Sequence, residues 1–199
     1  GIYIINEEVK NIDAVSDCAN LASKHCKGNY IQNYAFYKRA MSDEIVHEQQ
    51  IINMMKAALV QEQFVLYIQP KYDLHSNRID GGEVLVRWKH PEKGMMNPGD
   101  FIPLFERNGF IMKLDYYIWE QSCRIIRRWL DEDRNPFPIS VNISRVSLYN
   151  PQLAEIIIGL VKKYEVPTHL LHLELTESAC TNNTQDIKDT MARLRDYGF

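Results

Sequence analysis

Cysteine is scarce in this 199-residue sequence and scattered where it occurs: Cys18, Cys26, Cys123 and Cys180, with no Cys-x-x-Cys pair. That excludes a disulfide-dense framework and a thiolate zinc site, and leaves the reduced thiols of a cytosolic protein as the expectation. No apolar run approaches the roughly 20 residues needed to span a bilayer. Charge of one sign is not in excess either, at 23 Lys and Arg against 26 Asp and Glu, a net −3. A chain so balanced has no global pull toward a nucleic-acid polymer or an anionic membrane, so any anion site must be local. Internal repeats and low-complexity stretches are absent. Gly1 stands directly in the strand-like GIYII and the sequence closes on RDYGF, from which both ends are expected to cut through folded units.

What is present is the pattern of a mixed α/β chain. GIYII (1–5) is β-prone, residues 11–27 are amphipathic, and IQNYAFY (31–37) alternates like a strand. A helix is predicted from Ser42, as N-cap, to Val60, and the domain boundary is placed in or just after it. From residue 63 a βα rhythm takes over. FVLYIQP is expected as a strand ended by Pro70, followed by a turn and a second strand through GGEVLVRW. Helices follow over 98–106 and 114–131, the second with Leu114, Ile118, Ile125 and Trp129 inward. PISVNIS (138–144) is a strand, 150–164 a helix, LHLELTE (171–177) a strand, and a last helix starts after Asn183 or Thr184. Strands alternating with such helices argue a parallel sheet or a β/α barrel.

Three of these strands share an anomaly. Alternate strand residues face one side, so Glu83, Leu85 and Arg87 lie opposite Val84 and Val86. Asn142 shares a face with Ser140 and Ser144, and Glu174 with His172 and Thr176. Each strand thus has one apolar face and turns an oxygen donor to the other. Two carboxylates and an amide oxygen suit Mg²⁺, Mn²⁺ or Ca²⁺. In a barrel, such groups near the C-terminal strand ends converge on the active-site mouth. The bland alternative remains open: a structural Glu83–Arg87 ion pair, with Asn142 merely satisfying backbone groups.

The run GGEVLVRWKHPEKGMMNPGDFIPLFE resembles the signature region of EAL-domain cyclic-di-GMP phosphodiesterases: a Glu-Ala-Leu tripeptide followed by Arg-Trp, His-Pro, Gly and Pro-x-x-Phe-Ile-Pro. YIQP, SVNIS and LELTES match further motifs in order, and the likeness spans roughly residues 60–199. The resemblance implies a partial TIM-like (β/α)8 barrel over 61–199. It makes Glu83, Asn142 and Glu174 ligands of Mg²⁺ or Mn²⁺, and Arg87 the grip on a substrate phosphate. Glu83 and Glu177 are its catalytic positions, Glu177 by holding a loop that shapes the metal site. Gln69 lies by the substrate at the end of the first strand, and Phe101 and Pro103 line the guanine-binding cleft. The implied activity is hydrolysis of cyclic-di-GMP to linear pGpG by metal-activated water, in bacterial signalling over biofilm and motility. The implied assembly is a homodimer through the EAL domain.

Val84 replaces the signature Ala, but it lies on the face away from Glu83. The family's next motif, an Asp-Asp pair, and the lysine, glutamate and glutamine beyond it are not in the sequence. The 199 residues alone are therefore expected to be inactive and poorly folded. Residues 1–40, through ASKHCKGNYIQNYAFY, resemble more weakly the tail of a GGDEF diguanylate-cyclase domain. The expectation is a tandem parent with residues 41–60 as linker helix, working in the cytoplasm, with any membrane contact through an upstream region. The rival reading is a catalytically inert EAL module that binds cyclic-di-GMP or a protein partner. DYYIWEQ (115–121) reads as barrel exterior or dimer surface, His90 as a loop-fixing residue and His172 as a packed barrel histidine. Arg124, Arg127 and Arg128 read as a solvated face.

Overall fold

The structure is a computed structural model that describes residues 1–5, 11–27, 33–175 and 185–199. It divides into two compact units, Gly1–Met54 and Met55–Phe199, with the division inside one long helix.

In the first unit, helix α1 (Ile12–Cys26) starts where the Asn11 side chain accepts from the Asp13 N–H at 3.0 Å. The two expected strands reduce, in the described residues, to a single parallel bridge between Ile2 and Phe36. Helix α2 (Arg39–Val60) begins three residues before the anticipated cap. Ser42 does not cap it: its hydroxyl lies 2.7 Å from that of Tyr37.

The second unit is built on a sheet of order β1–β2–β4–β5: β1 (Phe64–Asp73), β2 (Arg78–His90), β4 (Ile139–Ile143) and β5 (Leu171–Leu175). A short β3 (Gly94–Met96) pairs with the far end of β2. The pairs β2–β4 and β4–β5 are parallel, as the βα rhythm predicts. The pair β1–β2 is an antiparallel hairpin, closed by Asp73 accepting from His75 N–H at 2.9 Å and Ser76 N–H at 3.2 Å. Pro70 does not end its strand. It faces Gly82, whose N–H turns the other way, to the Pro138 carbonyl at 3.0 Å. Pro70 thus occupies a non-hydrogen-bonded position on an edge strand, where its missing N–H costs nothing. A Cβ on Gly82 would stand 2.5 Å from Ile68 Cγ2 and 3.2 Å from the Phe137 ring, so any larger residue at this crossing requires those side chains to give way.

Helix α3 (Pro98–Asn108) opens with Asn97 as cap and Pro98 in its first turn, and closes on Gly109 at φ 76°. Helix α4 (Ile111–Asp131) comes next; its buried stripe runs through Ile111, Leu114, Ile118, Cys123 and Ile126, whereas Ile125 and Trp129 are half-buried. After β4 come α5 (Arg145–Leu148), α6 (Leu153–Lys163), a 3₁₀ turn at Thr168–Leu170, β5 and α7 (Gln185–Tyr197). One face of the sheet packs on these helices. Phe64 and Trp88 meet Phe101 and Phe105 of α3 in an aromatic cluster with ring centroids 5.2–6.1 Å apart. Full burial of each such side chain stabilises by about 1.5–3 kcal/mol.

Candidate active site

The other face of the sheet carries the oxygen donors, and strand register decides which groups meet. Gln69 faces Glu83 across the β1–β2 pair, Glu83 aligns with Ser140 of β4, and Asn142 aligns with Glu174 of β5. Partners in register share a face, so Gln69, Glu83, Asn142 and Glu174 form one contiguous polar strip. The Asn142 side chain donates from Nδ2 to Glu83 Oε1 at 3.2 Å. Glu83, Asn142 and Glu174 are all half-buried. The strip therefore runs across four strands rather than lying scattered along the sheet.

Lys71, two residues beyond Gln69 on the same face, was not foreseen as part of the site. Its Nζ donates to Glu174 Oε1 and, at 3.1 Å, to Ser140 Oγ. The first of these hydrogen bonds is the main cause holding the Glu174 carboxyl below its ordinary range, with the Ser140 hydroxyl helping. A lysine inside the motif YIQPKYD was the available signal, obscured by the expectation that Pro70 ended the strand.

Gln69 is exposed and lies in mid-strand, because β1 runs on to Asp73 rather than stopping at Pro70. Arg87 is half-buried on the Glu83 face and donates from Nη1 to the Val86 carbonyl at 2.8 Å. Beyond Glu83, β2 has left β4 and has not yet met β3. The Val84 and Val86 peptide groups look into this gap, and the Arg87 guanidinium fills the need of one carbonyl. With Glu83 taken by Asn142 and Arg87 by Val86, no Glu83–Arg87 ion pair forms among the described residues.

A cavity of about 410 Å³ opens beside the same gap, lined by Leu85, Pro98, Ile102, Pro103, Asn142 and Ser144 among others. Pro103 is thus at the cavity wall. Phe101 is not: its ring is fully buried in the aromatic cluster, because the helical turn that exposes Pro103 points Phe101 at the sheet. Glu177 lies outside the described residues. His172 is exposed rather than packed, and His90 is a loop fixer, its Nδ1 accepting from Glu92 and Lys93 N–H at 3.1 Å each.

The segment DYYIWEQ is not a mere exterior face. Asp115 and Trp119 are 5% and 2% exposed. Trp119 Nε1 donates to the Asn142 carbonyl at 3.2 Å, and Asp115 binds the turn after β4. Arg124 and Arg127 are tied to the turn at the C-terminal end of α6, through the Tyr164 hydroxyl at 2.9 Å and the Glu165 carbonyl at 3.2 Å.

Oxygen donors are thus gathered on one face of an α/β sheet, beside a cavity and an arginine. The family description of the EAL domain matches residues 52–199, and the chain belongs to that family. It is 32% identical over 161 residues to a bifunctional diguanylate cyclase/cyclic di-GMP phosphodiesterase, MucR, of Pseudomonas aeruginosa, covering 80% of this chain and 23% of that protein. A cyclic di-GMP phosphodiesterase of the same organism is 29% identical over 150 residues, 75% of this chain and 25% of the relative. The chain thus spans about a quarter of the length of these relatives. Among solved structures, the MucR phosphodiesterase in complex with c-di-GMP superimposes with a TM-score of 0.70 at 31% identity, over 75% of this chain and 60% of that one. The mixed α/β fold is that of EAL domains, of TIM type.

Proposed function

We propose that the chain carries part of a divalent-metal-dependent phosphodiesterase that hydrolyses one phosphodiester bond of cyclic-di-GMP to give linear pGpG. The observation that carries this reading is the meeting of Glu83, Asn142 and Glu174 on one sheet face. Family membership and the names of the relatives support it. The donor set fits Mg²⁺ or Mn²⁺: hard oxygens, two of them anionic, with no sulfur or imidazole. Glu83, Glu174 and Asn142 would hold the ion, the last after a half-turn of an amide whose nitrogen now faces Glu83. When bound, such ions activate water and neutralise the charge of an in-line displacement.

The chain's own residues do the rest. Arg87, released from the Val86 carbonyl, offers a planar fork to a phosphate. Gln69, across from Glu83, lies within reach of the same ligand, and the Pro103 wall receives an apolar base face. Glu177 belongs to this reading as the residue that shapes the metal loop. In the same reading, residues 1–40 are the tail of a GGDEF-like domain and 41–60 a linker. The protein acts in the cytoplasm as an EAL homodimer, with any membrane link upstream. The 199 residues contain no Asp-Asp pair, so turnover belongs to a chain that supplies that pair and the family's lysine.

Calorimetric titration of Mn²⁺ and cyclic-di-GMP, with chromatography of the product, tests the proposal. The 199-residue chain is expected to show no turnover, and in a longer chain carrying the remaining motifs Glu83→Gln or Glu174→Gln is expected to weaken Mn²⁺ binding on the order of 10–100-fold. That longer chain, unsubstituted, is expected to release pGpG. Binding without turnover by the longer chain would select the inert-receptor reading; no binding of either ligand sinks both.

A further inference from the structure

Asp115 is a buried carboxylate at the wall of the cavity of about 410 Å³, and the proposed chemistry gives it no step of its own. Its Oδ2 accepts from the Ser144 N–H at 3.1 Å and from the Ser147 hydroxyl at 2.7 Å. Ser144 Oγ in turn accepts from Ser147 N–H at 3.1 Å, which closes a small ring of hydrogen bonds around the first turn after β4. One helical turn along α4, Trp119 Nε1 reaches the Asn142 carbonyl at 3.2 Å. Two side chains on one face of α4 therefore grasp the backbone at residues 142 and 144, on either side of Ile143. Burial chiefly, with the Glu106 charge adding to it, pushes the Asp115 carboxyl upward, and the serine hydrogen bonds only partly offset this. Keeping a carboxylate on the largely apolar inward face of a helix is costly for packing alone.

We propose that Asp115 is a positioning residue: with Trp119 it sets the height of the end of β4, and so aims the Asn142 amide at Glu83. This rests on the phosphodiesterase reading for its catalytic meaning, but the geometric part stands by itself. Both serine hydrogen bonds converge on a single carboxylate oxygen. An asparagine can place its carbonyl oxygen there and accept both, whereas an alanine can accept neither.

The test uses a longer chain that carries the remaining EAL motifs, with Asp115→Ala, Asp115→Asn and, as a destabilised control away from the site, Leu160→Ala in the buried face of α6. The first readout is the side-chain amide resonance of Asn142, assigned with Asn142→Asp, in metal-free protein. It is expected to move in Asp115→Ala and to stay in place in Asp115→Asn and in the control. The second is Mn²⁺ affinity, expected to fall about 10-fold or more in Asp115→Ala, to stay within about 3-fold in Asp115→Asn, and to be unchanged in the control. An unmoved Asn142 resonance in Asp115→Ala overturns the proposal, and so does an equal shift in the control. If the resonance moves while wild type binds no Mn²⁺, the positioning role stands and the phosphodiesterase reading fails. If wild type binds Mn²⁺ and Asp115→Ala binds it equally well, the functional half of the proposal is overturned.

Discussion

The two faces of the β1–β2–β4–β5 sheet are made by the same strands and obey opposite rules. On the helix-packed face, Trp88, Val84, Ile139 and Val141 are buried, and their contribution is removal of apolar area from water. On the other face, Glu83, Asn142 and Glu174 are only half-buried and bind one another or Lys71. The first face stores stability and the second gives up some of it to keep polar groups half-dry and convergent. Their separation is strict because the side-chain period along a strand is two, so one residue of register slip would exchange them.

This contrast can be attacked at graded strength. Trp88→Ala, which empties the centre of the aromatic cluster, is expected to cost about 3–5 kcal/mol in urea unfolding. Gly82→Ala pushes a methyl at Ile68 and Phe137 and is expected to cost about 1–3 kcal/mol, the lower end if Ile68 changes rotamer. Asp115 sharpens the comparison through pH. Its folded carboxyl lies above the ordinary value, chiefly from burial, so its contribution is complete below the unfolded carboxylate range and is lost as pH rises through the folded value. Relative to wild type, Asp115→Asn should therefore gain stability as pH is raised from about 4 toward about 7, read by unfolding across that range. Lys71→Ala removes a pair whose side chains are 46% and 36% exposed, and should change stability by only about 0–1 kcal/mol. Glu83→Gln should be within about 0.5 kcal/mol of wild type in unfolding while weakening Mn²⁺ binding on the order of 10–100-fold. A large stability loss in Glu83→Gln would break the division between the faces.

Alternation alone made the faces legible: Glu83, Asn142 and Glu174 could be set against Val84, Val141 and Leu173 without coordinates. The helices were legible from their periodic stripes, with ends shifted by a few residues, because caps such as Asn97 announce themselves and a start such as Arg39 does not. The antiparallel direction of β1 was not legible, since Pro70 reads as a terminator until an edge position and a partner with its N–H turned away are known. Lys71 was hidden behind the same proline, and Phe101 and Pro103 could not be divided between core and cavity until α3 had a roll angle. Asp115 and Trp119 escaped notice because the backbone they hold lies 29 and 23 residues further along the chain.

By itself, the sequence determined which residue types face together, because strand and helix periods are local properties of covalent geometry. It also determined the family, through ordered motifs that no local rule would produce. Only the tertiary structure decided that the Asn142 amide touches Glu83, that Glu174 is answered by Lys71 and that a buried aspartate grips the end of β4. Those contacts join segments distant in sequence, and register and helix packing bring them together after every local preference has been met.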